Sequence, residues 1–289
     1  MNWSRAKTIL IVVFLIADIF LFSVTYKGSI ETTNTNSISQ VVMHLEKQGI
    51  KIESIIPDKG ISCPLLNVKY KYFDENEALN TFFYSAQNID IKRDDFRTVM
   101  NNDGIFLEMK NNGELFYLNK NMTEEEDEVL NEKQALNKME EFLDKLDINL
   151  NELYSSHKTV EDGHVKMKYT QGYKNMFLDN TYMEIKASNK GVTYLKMLWF
   201  ESIKSGKTKK DVISPVKVLM KLSEVFKDNE KTVTVEEISQ GYLFGLNIEQ
   251  VKEFDVKTVE EGAAIPVWRI KTDMGYIYIN AYNGAVENN

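Results

Sequence analysis

Hydrophobic and polar positions divide the chain into one unbroken apolar stretch and a long remainder of alternating segments. The apolar stretch is TILIVVFLIADIFLFSVTY, from Thr8 to Tyr26. Its 19 residues span roughly 28 Å as a helix, close to the hydrocarbon thickness of a bilayer. Ile9–Val24 is apolar on every side except at Asp18 and Ser23, whereas a helix lying on a soluble core would show a polar face. Trp3 and Tyr26 stand where the two membrane interfaces would lie, and Arg5 and Lys7 precede the run. These four are the expected interface anchors, and the basic side places residues 1–7 in the cytoplasm and everything after Tyr26 outside. A cleaved signal peptide needs a shorter apolar core and small residues at the cleavage site, and LFSVTYKGS offers no A-x-A pattern. The expectation is an uncleaved single transmembrane helix over 8–26 in the cell membrane.

Asp18 costs insertion about 2.5–3.5 kcal/mol, while each Leu, Ile, Val or Phe contributes roughly −0.3 to −0.6 kcal/mol. Ile9–Val24 holds thirteen of these, a sum of roughly −6 kcal/mol, so insertion wins with Asp18 in place. Ionisable groups inside membranes usually face another helix, which makes Asp18 the candidate contact with a second membrane protein, with Ser23 as a weaker polar neighbour. A protonated, lipid-tolerated Asp18 is the plainer alternative.

Beyond Tyr26, residues 27–37 (KGSIETTNTNS) are polar and read as a stalk. A first mixed unit is expected over 38–120. Ser37–Gly49 reads as a helix with the stripe Ile38, Val41, Val42 and Leu45, followed by strands at Ile50–Ile55 and Leu66–Phe73. Asp74-Glu-Asn-Glu77 is a capping-box start for a helix through Phe83. Asn102-Asp103-Gly104 and Asn111-Asn112-Gly113, flanking IFLEMK and ELFYL, are hairpin signals.

A second unit is expected over 121–289. Thr123 opens a long helix whose acidic run Glu124–Glu128 suits the positive end of the helix dipole and lacks the spacing and central Gly of a calcium loop. Strands follow at Tyr154–Val160, Val165–Tyr169, Tyr182–Ala187 and Val192–Phe200. Ser214-Pro215 starts another helix through Phe226. Strands at Thr232–Ile238, Val251–Val259, Pro266–Thr272 and Tyr276–Ala281 complete the chain. Tyr182/Tyr276, Ile185/Ile279, Ala187/Ala281, Asn189/Asn283 and Val192/Val286 share an offset of 94, which points to an internal duplication. The expected fold class is therefore α+β: an anchor, then an extracytoplasmic part of two domains built from helices and antiparallel sheet.

Composition narrows the chemistry. The 289 residues carry a net charge of −8 with no basic tract, which argues against nucleic-acid binding. Cys63 is the single Cys and there are three His, so no disulfide framework and no Cys-based metal site is expected, and no cofactor is implied. Ser205-Gly206-Lys207-Thr208 contains GKT, but Glu201 stands where a phosphate loop needs Gly. His157 and His164 flank the turn Glu161-Asp162-Gly163, with Val160 expected opposite His164, and do not make an evident ligand pair. His44 lies in the first helix after the stalk. Cys63 lacks a resolving Cys or a His neighbour.

The start of the chain, Asn2-Trp3-Ser4 with Arg5, Lys7 and an apolar run interrupted by Asp18, resembles the YycI (WalI) family, anchored proteins of low-GC Gram-positive bacteria. Gly241-Tyr242, Pro266-Val267-Trp268-Arg269-Ile270, Tyr276-Ile277-Tyr278-Ile279-Asn280-Ala281 and Asn283-Gly284 resemble the end of the YycH-like regulatory domain. Ser37 to Tyr173 is matched by pattern alone. The resemblance implies a non-enzymatic regulator that acts, with a YycH-like membrane protein, on the WalK (YycG) sensor histidine kinase of a two-component system controlling cell-wall metabolism. It also implies that the transmembrane helices carry the contact. The helix-plus-hairpin units resemble PepSY modules as well, which implies an alternative: peptide or ligand binding, or protease inhibition. A third reading, an anchored wall hydrolase, predicts a cleft with a strongly perturbed carboxylate.

Overall fold

The structure, a computed structural model, describes residues 14, 18, 35–84, 88–122, 129–148, 150, 153–227, 229, 231–244 and 261–287. The expected anchor over 8–26 therefore lies outside the described residues, apart from Phe14 and Asp18, which are helical and exposed. Among the described residues no helix is long and apolar enough to cross a membrane.

The described chain is α+β, with four helices laid on one curled sheet of sixteen strands. Helix α1 (Thr35–Lys47) turns through Gly49, at φ +81°, into β1 (Ile50–Ile52). β2 (Leu66–Tyr70) precedes α2 (Glu75–Phe82), whose N-cap Asp74 accepts from the Glu77 amide. Next come β3 (Asp90–Arg93), β4 (Arg97–Asn102), β5 (Ile105–Lys110) and β6 (Leu115–Asn119), each antiparallel to the one before. The Asp103-Gly104 turn, at φ +29° and +86°, joins β4 to β5 with the two-residue loop that its sequence predicts.

After a 3-10 turn (Lys120–Met122), α3 (Glu132–Lys145) leads to β7 (Leu153–Glu161), β8 (His164–Tyr173), β9 (Met176–Leu178), β10 (Tyr182–Ala187), β11 (Val192–Leu198) and β12 (Phe200–Ser205). Helix α4 (Pro215–Val225) is capped by Ser214 and followed by β13 (Val233–Phe244), β14 (Glu261–Thr272), β15 (Gly275–Asn280) and β16 (Val286–Glu287). One plan thus occurs three times: a helix, then four strands in antiparallel order. The strand sets are β3-β4-β5-β6, β7-β8-β10-β11 and β13-β14-β15-β16. The two stretches that share the 94-residue offset begin at β10 and β15, each the third strand of its set.

Long-range pairing interleaves the expected units. β1 is parallel to β13, and β2 lies between β14 and β12. The two halves of the sheet join where β9 pairs with both the end of β8 and β13. α2 and α3 cover one half, where Phe82, Met139 and Leu143 pack with Leu107, Tyr117, Ile185 and Leu195. α1 and α4 cover the other, where Leu45, Leu219 and Leu222 meet Val235, Trp268 and Ile279.

Several expectations change. The helix expected from Thr123 begins at Glu132, and the acidic run Glu124–Glu128 lies outside the described residues. Asn131 is the cap, its side chain accepting from the Gln134 amide. The turn before it is held open by Asn189, which accepts from the Asn131 amide at 2.7 Å and donates to the Val129 carbonyl at 3.0 Å. The strand expected over Val192–Phe200 is two strands that break at Trp199 and change partners, β11 to β6 and β12 to β2. The strand expected to end at Ile238 runs on to Phe244 through Gly241, because the Phe177 ring lies on Gly241 where a side chain would otherwise stand. Glu161, not Val160, faces His164, because the turn is the two-residue Asp162-Gly163. The expected strand Val251–Val259 lies outside the described residues.

Candidate functional site

The side chains with chemical potential are committed to structure. Cys63 is 1% exposed, and burial pushes its thiol up, against hydrogen bonds with Tyr242 and Gln240 and the charge of Lys209. Arg269 on β14 lies 3.9 Å from the Phe177 ring centroid and 3.7 Å from Asp179. Burial raises the Asp179 carboxyl above its ordinary value, and hydrogen bonding with Tyr278 and the Arg269 charge oppose that only in part. Asp179 does not line the cleft beside the Asp103-Gly104 turn. His157 pairs across the sheet with Lys168 and His164 with Glu161, which keeps the two rings apart. Among the described residues no group of three His, Cys, Asp or Glu is placed to hold a metal. The GKT sequence is an exposed loop fixed by the Gly206 amide donating to the Leu65 carbonyl.

What the fold does present is a broad sheet face. On β5, β6, β10 and β11 the residues that point away from α2 and α3 are not uniformly polar. Phe106, Phe116 and Tyr194 form an edge-to-face row with centroid separations of 5.7 and 5.5 Å, and all three are half-buried. Leu118 sits between Tyr194 and Phe106 in the strand register. At one end the row opens into a cleft of about 500 Å³ beside the Asp103-Gly104 turn. Charged groups surround the aromatic centre: Lys166–Glu184 at 2.8 Å, Lys186–Glu161 at 3.0 Å and Lys110–Glu114 at 2.6 Å. Exposed pairs of this kind add little stability, about 0–1 kcal/mol each, but they set the charge pattern a partner would meet.

Glu114 is the most embedded of these carboxylates. Burial alone would raise it, but hydrogen bonds from Lys110 and from Tyr182 Oη at 2.6 Å, with the Lys110 and Lys196 charges, hold it below the usual range. Burial and the same bond to Glu114 push the Tyr182 phenol well up. An apolar centre with a polar rim is the anatomy of a protein-binding surface. The alternation in IFLEMK carries a trace of it: Leu107 faces the core, and Phe106 beside it occupies what should be a polar position. Of the residues expected to act in the membrane, Ser23, Trp3, Arg5, Lys7 and Tyr26 lie outside the described residues, and Asp18 is described only as an exposed helical residue.

One solved structure shares this fold. An uncharacterized protein from Eubacterium rectale superposes with a TM-score of 0.55 at 12% identity, over 83% of this chain and 91% of that one. The C-terminal domain of Bacillus megaterium YpeB aligns over 75% of this chain and 97% of its own, at 13% identity and a TM-score of 0.36. No curated protein matches the chain. The model of the YycI protein family matches residues 29–282, nearly all of the sequence beyond the apolar stretch, and the chain belongs to the YycI family.

Proposed function

We propose that the chain is a membrane-anchored, extracytoplasmic, non-enzymatic regulator of a WalK-like sensor histidine kinase, acting with a YycH-like membrane protein through contacts between transmembrane helices at Asp18 and Ser23. Membership of the YycI family carries this reading, because it supports a regulatory protein of a two-component system. Two further features agree with it. The apolar run 8–26 contains one ionisable residue that needs a partner. The half-buried aromatic row of Phe106, Phe116 and Tyr194, with its charged rim, has the make-up of a contact surface. A helix that packs differently on two kinase states shifts their populations by its differential affinity.

The test is kinase autophosphorylation in proteoliposomes that also hold the YycH-like partner. Adding the full chain should change the rate about fivefold or more, in the range of ordinary coupling energies. The Asp18→Leu variant should insert and leave the rate unchanged. A kinase indifferent to the unaltered chain refutes the proposal.

The repeated helix-and-four-strand plan favours one second reading, a module that binds an extracytoplasmic peptide or inhibits a protease. It predicts that the full chain in detergent slows an extracellular protease, and it fails if no such protease is slowed.

A further inference from the structure

Lysines on the sheet faces are mostly ion-paired, as Lys166, Lys186 and Lys271 are. A second group is not. Lys59, Lys204, Lys207, Lys209 and Lys210 are exposed, and no ion pair engages them among the described residues. Lys204 lies near the end of β12, and the others lie on two loops stitched together as a continuation of the β2–β12 ladder. The Cys63 amide donates to the Lys210 carbonyl at 3.2 Å, the Lys210 amide returns a bond to Cys63 at 3.1 Å, and the Gly206 amide donates to Leu65 at 2.8 Å. Gln240 holds the first loop from below, accepting from the Ile61 amide at 2.8 Å and donating to the Ile61 carbonyl at 2.7 Å.

So pinned, the loops expose Ile61 (58%) and Leu65 (42%) beside the lysines. The nearby carboxylates are Asp58, Asp211, which accepts from Ser62 Oγ at 2.7 Å, and Glu261, which accepts from Asn67, the register partner of Lys204. Tyr173 lies close enough to feel the Lys209 charge. Burial would raise its phenol, yet the hydrogen bond with Ser205 and the charges of Lys174 and Lys209 hold it below its ordinary value. A chain of net charge −8 thus carries a compact basic patch edged with aliphatic side chains.

The topology places this patch at a definite end. α1 ends two residues before β1, which pairs with the start of β13, and α4 also ends shortly before β13. Both helices therefore point their N-termini away from Val233. α4 starts where the Ile213 amide donates to Ala281 and Trp268 Nε1 donates to Ile213. Trp268 is the register partner of Gln240, the residue that holds the Ile61 loop. α1 packs on α4 and β1, and its 13 residues reach about 19 Å back from β1 toward that level. The chain thus leaves Thr35 on the side of the basic patch. Residues 27–34, eight in number, separate Thr35 from Tyr26 and can span at most about 28 Å.

We propose that Lys59, Lys204, Lys207, Lys209 and Lys210, with Ile61 and Leu65, form a peripheral membrane contact that binds anionic phospholipid headgroups on the outer face of the bilayer, an inference that rests on the anchored reading above. Lysines near an anionic surface supply the attraction, and exposed aliphatic residues beside them enter the headgroup layer. The contact fixes the orientation of the folded part over its own transmembrane helix, so that a partner docking on the sheet face also sets the helix.

The test is acetylation footprinting of the full chain in vesicles of phosphatidylcholine alone and of equimolar phosphatidylcholine and phosphatidylglycerol, read by mass spectrometry. Lys92, exposed, and Lys138, half-exposed, lie elsewhere and serve as references. Lys204, Lys207, Lys209 and Lys210 should label about fivefold more slowly in the anionic vesicles, the preference expected for one lysine at such a surface. The triple variant Lys207→Gln, Lys209→Gln, Lys210→Gln, confined to an exposed loop, should remove the protection of Lys59 and Lys204. Equal labelling in both vesicles, with the chain retained through an alkaline wash, overturns the lipid contact and leaves the anchor standing. Loss of the chain from both vesicles in that wash overturns the anchor, and the lipid contact with it. Equal protection of the detergent-solubilised chain by soluble polyphosphate assigns the patch to a polyanion and overturns the lipid assignment.

Discussion

Replacing Asn189 by Ala tests how the α3 unit is held. The Asn189 side chain is 7% exposed and makes two hydrogen bonds to the chain before α3, accepting from Asn131 at 2.7 Å and donating to Val129 at 3.0 Å. Each is worth about 1 kcal/mol net, and each orphaned group costs more if water cannot reach it. Val129 and Asn131 are both exposed, so water can replace the lost partners and the full desolvation cost does not arise. The expected loss is about 2 kcal/mol, a fall in Tm of roughly 4–8 °C for a chain of this size. The bond from Gln134 Nε2 to the Asn189 backbone oxygen, at 3.1 Å, survives the change. The assay is thermal unfolding of the full chain in detergent, followed by tryptophan fluorescence. Trp199 reports the core that α3 covers and Trp268 the other. Asn189→Asp keeps the acceptor for Asn131 and loses the donor for Val129, so about half the effect should remain. An Asn189→Ala chain within about 0.5 kcal/mol of the parent would refute the reasoning.

Three other expectations follow from the same geometry. Gly241→Ala sets a methyl group into the fully buried Phe177 ring and should cost about 1–3 kcal/mol in urea unfolding, as overpacking does. Glu114 titrates below its ordinary value of 4.5 in the folded chain, so its contribution is present above that pH and is lost as pH falls through the depressed value. Glu114→Gln should flatten that part of the acid limb of a stability–pH curve and lower stability at neutral pH by about 1–2 kcal/mol. Cys63, buried and with its thiol raised, should resist alkylation in the native chain at neutral pH and react when the chain is unfolded in urea.

Local signals in the sequence were sufficient where a turn or cap decides the structure. Asp74 with Glu77, Ser214 with Pro215 and Asp103 with Gly104 each act within a few residues, and α2, α4 and the β4–β5 hairpin lie where those residues place them. Signals failed where the deciding contact is distant. The start of α3 depends on Asn189, 58 residues beyond Asn131, and the acidic run before it suits a helix end as well as a loop. β3 (DIKR) escaped notice because an edge strand open to water needs no apolar alternation. The pairing of β1 with β13 and of β2 with β14 spans about two thirds of the chain, and periodicity within a segment says nothing of its partner. For the same reason the aromatic row was invisible. Phe106, Phe116 and Tyr194 meet only after three strands have come into register.

The central claim is that the helix around Asp18 contacts another membrane protein, and photo-crosslinking in the membrane tests it most directly. A crosslinking residue replaces Asp18 and, in separate chains, its helical neighbours Leu15 and Phe22 and the opposite positions Ile16 and Phe20, with products identified by mass spectrometry. The account predicts that a sensor histidine kinase or a second single-span protein is captured from Leu15, Asp18 and Phe22 and not from Ile16 or Phe20. Lipid adducts alone, formed evenly around the helix, would contradict it and reduce residues 8–26 to a tether.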